Sequence, residues 1–371
     1  MRVVVAFDSF KGSLSAREAN EAFARGFCDV VADADVVAVP ISDGGEGLSE
    51  CVGGVMVEAR ASDPLGRAIT TRYAVRDDTA VIALASASGL TLLTPSERDP
   101  LVTNTFGTGE LLRDAVERGC RKIILGLGGS ATNDCATGML RALGFRFLDA
   151  AGVELTTTID ILEHTEHIEG CASLLRGVNV AVAVDVDNPL CGARGAAEVY
   201  ARQKGATDAD VERLDRAARH FAGVVARTVA ADYSAEQGMG AAGGAAFGLR
   251  ALLGVRPTSG IDLMLNLVDF DALVEGADLV VTGEGCVDKQ TVMGKAPSGV
   301  LRYALRHDVC CIAVGGGVRW CDELRHSGFT AIYAATPDGM PLSDAMHRYT
   351  AYHNLRSTGA TIALKYKNGV M

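Results

Sequence analysis

No stretch of this 371-residue chain stays apolar for anything near the ~18 residues that a membrane span needs, so no transmembrane helix is expected. Its start also lacks the charged, apolar, small-residue order of an export signal and enters a strand-like run at once. A soluble, cytoplasmic protein is therefore the expectation. None of the ten cysteines stands in a C-x-x-C pair. That removes the common zinc and redox spacings, and the apolar or Gly-rich surroundings of most of them read as reduced, packed thiols. Lys/Arg-rich blocks are missing too. With a formal charge of -11, a nucleic-acid partner is not expected, whereas an anionic small molecule stays open because site charge is local. Pro-rich linkers, internal repeats and a G-x-x-x-x-G-K-[ST] phosphate loop are all absent.

What the chain does have is glycine. There are 43, well above the usual ~7 %, and they cluster in loops rather than forming a low-complexity tract. Loops of that kind turn tightly or let the backbone approach a ligand. The length exceeds what one core usually serves, which favours two domains. Apolar β-branched runs at 3–6, 36–41, 79–85, 122–127, 178–184, 278–282, 309–314 and 329–335 alternate with helix-like stretches at 15–30, 109–118, 134–143, 208–231, 295–307 and 340–366. Alternation of this type predicts an α/β fold with mostly parallel strands. Similar Gly-rich loops at 8–13 and 43–47 and again at 283–295 and 315–317 suggest a discontinuous domain. Its expected limits are 1–70 plus 275–371, with 71–274 as the second α/β domain and a ligand cleft between the two.

The strand ends carry the chemistry. Asp8-Ser9-Phe10-Lys11-Gly12-Ser13 follows the first apolar run and puts charged groups at a carboxyl edge, where α/β sheets bind ligands. Ser15 and Glu18 fit a capping box for the helix that follows, which leaves Asp8 and Lys11 unexplained. Asp43-Gly44-Gly45-Glu46-Gly47 brackets two glycines with carboxylates, as a tight acidic turn or as a loop facing a metal or hydroxyl. Gly126 to Asp134 reads as an anion cradle, with a helix starting near Asp134, or as a plain strand-helix turn. Asp185 and Asp187 close another strand on one side of it and suit magnesium or a general base, although Asn188-Pro189 also initiates turns. Thr282-Gly283-Glu284-Gly285, with Asp288 and Lys289 and then Gly294-Lys295-Ala296-Pro297, suits nucleotide phosphate and metal. Gly238, Gly240 and Gly243 match a dinucleotide-binding pattern, but no strand precedes them, so a nicotinamide oxidoreductase is not expected.

Together these segments resemble the type I glycerate kinases, in order and over essentially the whole chain. Ala87-Ser88-Gly89-Leu90, Phe106 to Glu110, Gln203-Lys204-Gly205-Ala206, Gly240 to Gly244 and Gly260-Ile261-Asp262 add to the match. The resemblance implies phosphorylation of D-glycerate by ATP with magnesium, generally to 2-phosphoglycerate. It also implies two α/β domains, one of them flavodoxin-like with a mostly parallel sheet. Phosphoryl transfer needs positioning and charge neutralisation more than covalent chemistry. On that basis Lys11 with Gly12 and Ser13 is expected to hold the substrate carboxylate, with Asp43 alongside and Lys204 as second choice. Asp187 is the expected base, Asp8 the second, and Lys295 the partner of nucleotide phosphates. Glu284 and Asp288 would hold magnesium or its waters. Gly128, Gly129, Ser130, Thr132, Asn133, Gly243, Gly283 and Gly285 would wrap anionic groups. The chain departs from the family at Ala83, where a Glu is usual, at Cys135-Ala136, where Gly-Gly is usual, and at Cys286 and Lys289. Those departures keep two other readings open: a hydroxy-acid or nucleotide sensor of weak activity, and a kinase for a different small hydroxy acid.

Overall fold

The computed structural model describes residues 1–42, 51 and 53–370, so the expected site residue Asp43 lies outside the described residues. The chain divides into two compact units. Described residues up to 42 and from 261 fall in the first, and those from 53 to 260 in the second. Residues 53–70 and 261–274 thus lie on the other side of the limits expected from the Gly-rich loops. The reason for the first shift is strand pairing. Val55–Ser62 forms an antiparallel hairpin with Ala68–Arg76, which in turn pairs with Thr79–Ala83 of the second unit.

Strands are numbered in chain order. The first unit has one sheet of five parallel strands: β1 (Arg2–Phe7), β2 (Asp35–Ala38), β11 (Leu279–Val287), β12 (Cys311–Val318) and β13 (Ala331–Ala334). Their spatial order is β2-β1-β11-β12-β13. Counted within the unit this is the order 2-1-3-4-5, the flavodoxin-like arrangement. Val3, Val4 and Val5 are fully buried because both faces of a central parallel strand are covered. One cover is the helix Ala16–Cys28, started by the capping box of Ser15 and Glu18. Against it lies the helix Arg348–Lys367.

Those two helices approach closely at glycines. A Cβ on Gly26 would sit 1.8 Å from the Arg356 carbonyl oxygen, and one on Gly359 2.4 Å from that of Phe23. Gly359 weakens its helix in isolation, but here it permits the contact. Gly26→Ala must push the helices apart, and a loss of about 1–3 kcal/mol is expected in urea unfolding. An unchanged midpoint would show that the pair separates without cost.

The second unit has a mixed sheet in the order β10-β9-β6-β5-β4-β3, namely Pro257–Thr258, Asn179–Ala183, Lys122–Gly126, Thr79–Ala83, Ala68–Arg76 and Val55–Ser62. Strands β5, β6, β9 and β10 run parallel, and the β3–β4 hairpin closes one edge antiparallel. A small antiparallel pair, β7 (Phe145–Leu148) and β8 (His167–Gly170), lies apart. The core of this unit gathers Tyr73, Ile82, Leu111, Leu125, Met139, Phe147, Phe221 and Phe247. Among the described residues no disulfide joins the cysteines, and Cys171 and Cys310 are exposed where packed thiols were expected. Among the described residues no helix is long and apolar enough to cross a membrane.

Candidate functional site

In the first unit the chain leaves β1 toward β2 on one side, while β11 leads to β12 and β13 on the other. The switch point lies between β1 and β11, and ligands of open parallel sheets bind outside the carboxyl ends there. A cavity of about 550 Å³ occupies that position. Asp8, Lys11, Ser13, Glu284, Gly285, Asp288 and Lys295 line its polar side. The structure therefore brings together the sequence-predicted residues of the Asp8–Ser13 and Thr282–Lys295 segments.

Asp8 follows the last residue of β1 and is buried. Its amide donates to the Gly283 carbonyl at 3.0 Å, and its Oδ1 accepts from the Ser9 amide. Gly283 lies inside β11, where a Cβ would meet the Val314 carbonyl oxygen at 1.9 Å. Its glycine is thus required by the sheet, and it offers no phosphate loop. Lys11-Gly12-Ser13 is a turn closed by Phe10 and Leu14, with Gly12 at φ +77°. The Ser13 amide, expected to grip a carboxylate, donates instead to the Phe10 carbonyl at 2.8 Å. The Ser13 hydroxyl is buried and makes no hydrogen bond among the described residues. Lys11 is exposed.

Glu284 is held through both carboxylate oxygens. The Thr291 hydroxyl donates to its Oε1 at 2.7 Å, and the Lys295 ammonium to its Oε2 at 3.2 Å. Burial pushes its pKa up, and Thr291 and Lys295 oppose that shift without cancelling it. Asp288 caps the short turn Lys289–Val292, accepting from the Gln290 amide at 2.8 Å. Lys295 is the N-cap residue of the helix Ala296–Arg306, and Pro297 sits in its first turn. Lys289 points away, paired with Glu323 at 2.5 Å.

Sequence reasoning missed the rest of the lining, made by Gly316 and Gly317 at the end of β12, by Arg319 after it, and by Met340, Met346 and Asn354. Only the Gly315-Gly316-Gly317 run signalled it. The rest come from loops and from the helix Arg348–Lys367, whose positions follow from tertiary packing.

In the second unit Lys204 is fully buried rather than facing a ligand. Its ammonium donates to Ser130 Oγ at 2.9 Å, to the Thr132 carbonyl at 2.6 Å and to Asn133 Oδ1 at 3.4 Å. Burial lowers its pKa to about 7, against the pull of the Asp134 carboxylate. Asp134 is buried too, and its Oδ2 accepts from the Thr105 amide and hydroxyl and from the Gly138 amide. The expected helix start near Asp134 is thereby corrected. The helix runs only over Thr137–Ala142, and the protein's own carboxylate fills its amino end, leaving no free anion site there. Cys135 and Ala136 have φ of 51° and 62°, so the family's glycines suit a left-handed backbone that this chain imposes on side chains. Gly243 also has a structural task, since a Cβ there would meet the Thr132 carbonyl oxygen at 2.1 Å. Gly128 and Gly129 remain exposed after β6.

Strand β9 ends at Ala183, so residues 185 and 187 do not share a strand face as expected. Asp185 accepts from the Gly260 amide at 3.0 Å. Asp187 is exposed and pairs with Arg194 at 2.7 Å. The Gly238–Gly243 stretch follows turns and no strand, which removes the context of a dinucleotide loop. Among the described residues, no group of three or more His, Cys, Asp or Glu side chains is placed to hold a metal.

The model of the glycerate kinase family matches residues 3–367. The glycerate kinase of Bacillus subtilis (strain 168) is 41 % identical over 99 % of this chain and 98 % of its own. The glycerate 2-kinase of Escherichia coli (strain K12) is 37 % identical over 99 % of this chain and 100 % of its own. A crystal structure from Salmonella typhimurium LT2, assigned as a glycerate kinase 2, superposes with a TM-score of 0.89 at 38 % identity, covering 100 % of this chain and 99 % of that one. With cavity, sheet order and these likenesses in agreement, the chain belongs to the glycerate kinase family and is a kinase.

Proposed function

We propose that this protein transfers the terminal phosphoryl group of ATP to D-glycerate, giving 2-phosphoglycerate and ADP. The carrying observation is that Asp8, Lys11, Glu284, Asp288 and Lys295 line one cavity at the switch point of a parallel sheet in a chain of this family. The names of the Bacillus and Escherichia relatives support the acceptor and the position of the product. Lys295 pairs with nucleotide phosphate oxygens, and Lys11 with the Ser13 hydroxyl holds the glycerate carboxylate at the open side of the cavity. In the second unit, the exposed Gly128 and Gly129 are the residues of that loop left to meet an anion.

The residues present fit magnesium. Glu284 and Asp288 are two carboxylates on one wall, the sparse protein ligation this ion accepts when phosphates and waters complete its shell. Bound magnesium supplies neutralisation of the phosphate oxygens. Glu284 would hold its waters, because both Glu284 oxygens already accept from Thr291 and Lys295.

The hydroxyl proton goes to a carboxylate. Asp187, exposed and ion-paired with Arg194, is the first choice. Asp8 is the second, supported by its place in the cavity wall. Asp187→Asn is expected to lower kcat about 10²-fold or more. An unchanged kcat moves the role to Asp8, where Asp8→Asn must then show the loss. The overall reading is tested by ADP release over a panel of small hydroxy acids, with the phosphorylated hydroxyl read by NMR. Absence of turnover with glycerate and ATP would end it.

A further inference from the structure

The cavity of the first unit has an end that the phosphoryl chemistry does not use. It is lined there by Phe10, Ala351 and Leu355, which are almost fully buried, and by Met340. A three-carbon hydroxy acid has no flat apolar face to cover such a surface. A purine ring does, and thioethers make favourable contacts with aromatic rings.

Of the three residues that the helix Arg348–Lys367 gives to the lining, Ala351, Asn354 and Leu355, one is polar. Asn354, on the helix Arg348–Lys367, is 8 % exposed, and the contact of its carboxamide among the described residues is a weak one to the Met340 sulfur at 3.6 Å. A buried carboxamide normally finds better partners, so this one calls for a ligand. Its paired donor and acceptor match the polar edge of a purine, the pattern by which Asn grips adenine elsewhere.

We infer that this apolar end binds the purine base of the nucleotide and that Asn354 holds the base by its polar edge. The inference rests on the kinase reading above, and it fixes the orientation of the nucleotide: base against the helix Arg348–Lys367, phosphates toward Lys295 and Glu284. Glycerate is thereby left to the charged, open side.

The test titrates ADP and pyrophosphate, in separate experiments, into wild type, Asn354→Leu and Met340→Trp. Met340 is half-buried in the cavity lining beside Asn354, so its replacement narrows the cavity there. Both variants should weaken ADP about tenfold and leave pyrophosphate unchanged, since pyrophosphate has no base. In turnover, KM for ATP should rise while KM for glycerate stays within about twofold. ADP affinity equal to wild type in both variants would overturn the inference, as would a rise in glycerate KM alone. A wild type that binds ADP in this way but never phosphorylates glycerate would sink the proposed function and leave the base site standing.

Discussion

Lys295→Met is expected to lower kcat by about 10²–10³-fold while the chain stays folded. A fixed cation aimed at charge that develops in the transition state contributes about 3–4 kcal/mol in a site poor in water, and that is the size of the expected loss. The fold should survive because, among the described residues, the side chain's hydrogen bond goes to Glu284 alone. The same pair gives a second readout. Burial raises the Glu284 pKa in the folded protein above the 4.5 of an unperturbed glutamate. As pH rises past 4.5, the unfolded chain releases this proton first while the folded chain still holds it. Stability therefore falls with pH from 4.5 up to the folded value. Without Lys295 the folded pKa climbs further, so Lys295→Met should lose more stability than wild type between pH 4 and pH 7. Glu284→Gln should abolish this fall and gain stability at pH 7 even as activity drops. Urea unfolding at the two pH values, beside steady-state kinetics, measures both. A kcat within threefold of wild type would remove Lys295 from the chemistry.

Lys204→Met should cost stability by about 3–5 kcal/mol, the range for removing one partner from a buried charged cluster. Methionine matches the stem but orphans the Thr132 carbonyl, Ser130 Oγ and Asn133 Oδ1, and it leaves the Asp134 carboxylate without its buried cation. Wild type also carries a pH signature here. The folded pKa of about 7 lies below the 10.5 of a free lysine, so between those values the unfolded chain binds more protons and stability rises with pH. The variant should lack that rise. Melting curves at pH 7 and pH 9.5 test it, and a wild-type midpoint in the variant would mean that the Gly243 contact alone holds the loop.

Most of the parallel strands were legible because their apolar runs are continuous, as with Val3 to Ala6 and Leu279 to Val281. The β3–β4 hairpin was not. Its strands alternate the exposed Glu58, Arg60, Thr70 and Arg72 with buried or half-buried positions, so no apolar run marks them, and that omission displaced the boundary between the units. Asp8 and Glu284 could be picked out as strand-end carboxylates. What they touch could not, because the sheet joins segments 276 residues apart. Lys204 misled for a related reason. Its acceptors lie 71 to 74 residues upstream, and a lone lysine beside glycine looks the same in sequence whether it meets a ligand or fastens a loop. Asn354 and Met346 carried no signal, being ordinary residues of a helical stretch that only packing brings to the cavity.

Strand β1 is flanked by β2 on one side and β11 on the other. During synthesis on the ribosome the first of these neighbours emerges within tens of residues, the second only after the whole intervening unit. Strand β1 must therefore wait, half-paired and apolar, until residues 279–287 have been made. The inserted unit needs no such partner and is free to finish first. Premature termination before residue 279 would release a chain in which β1 has β2 as its neighbour but lacks β11, a natural target for chaperones and proteases.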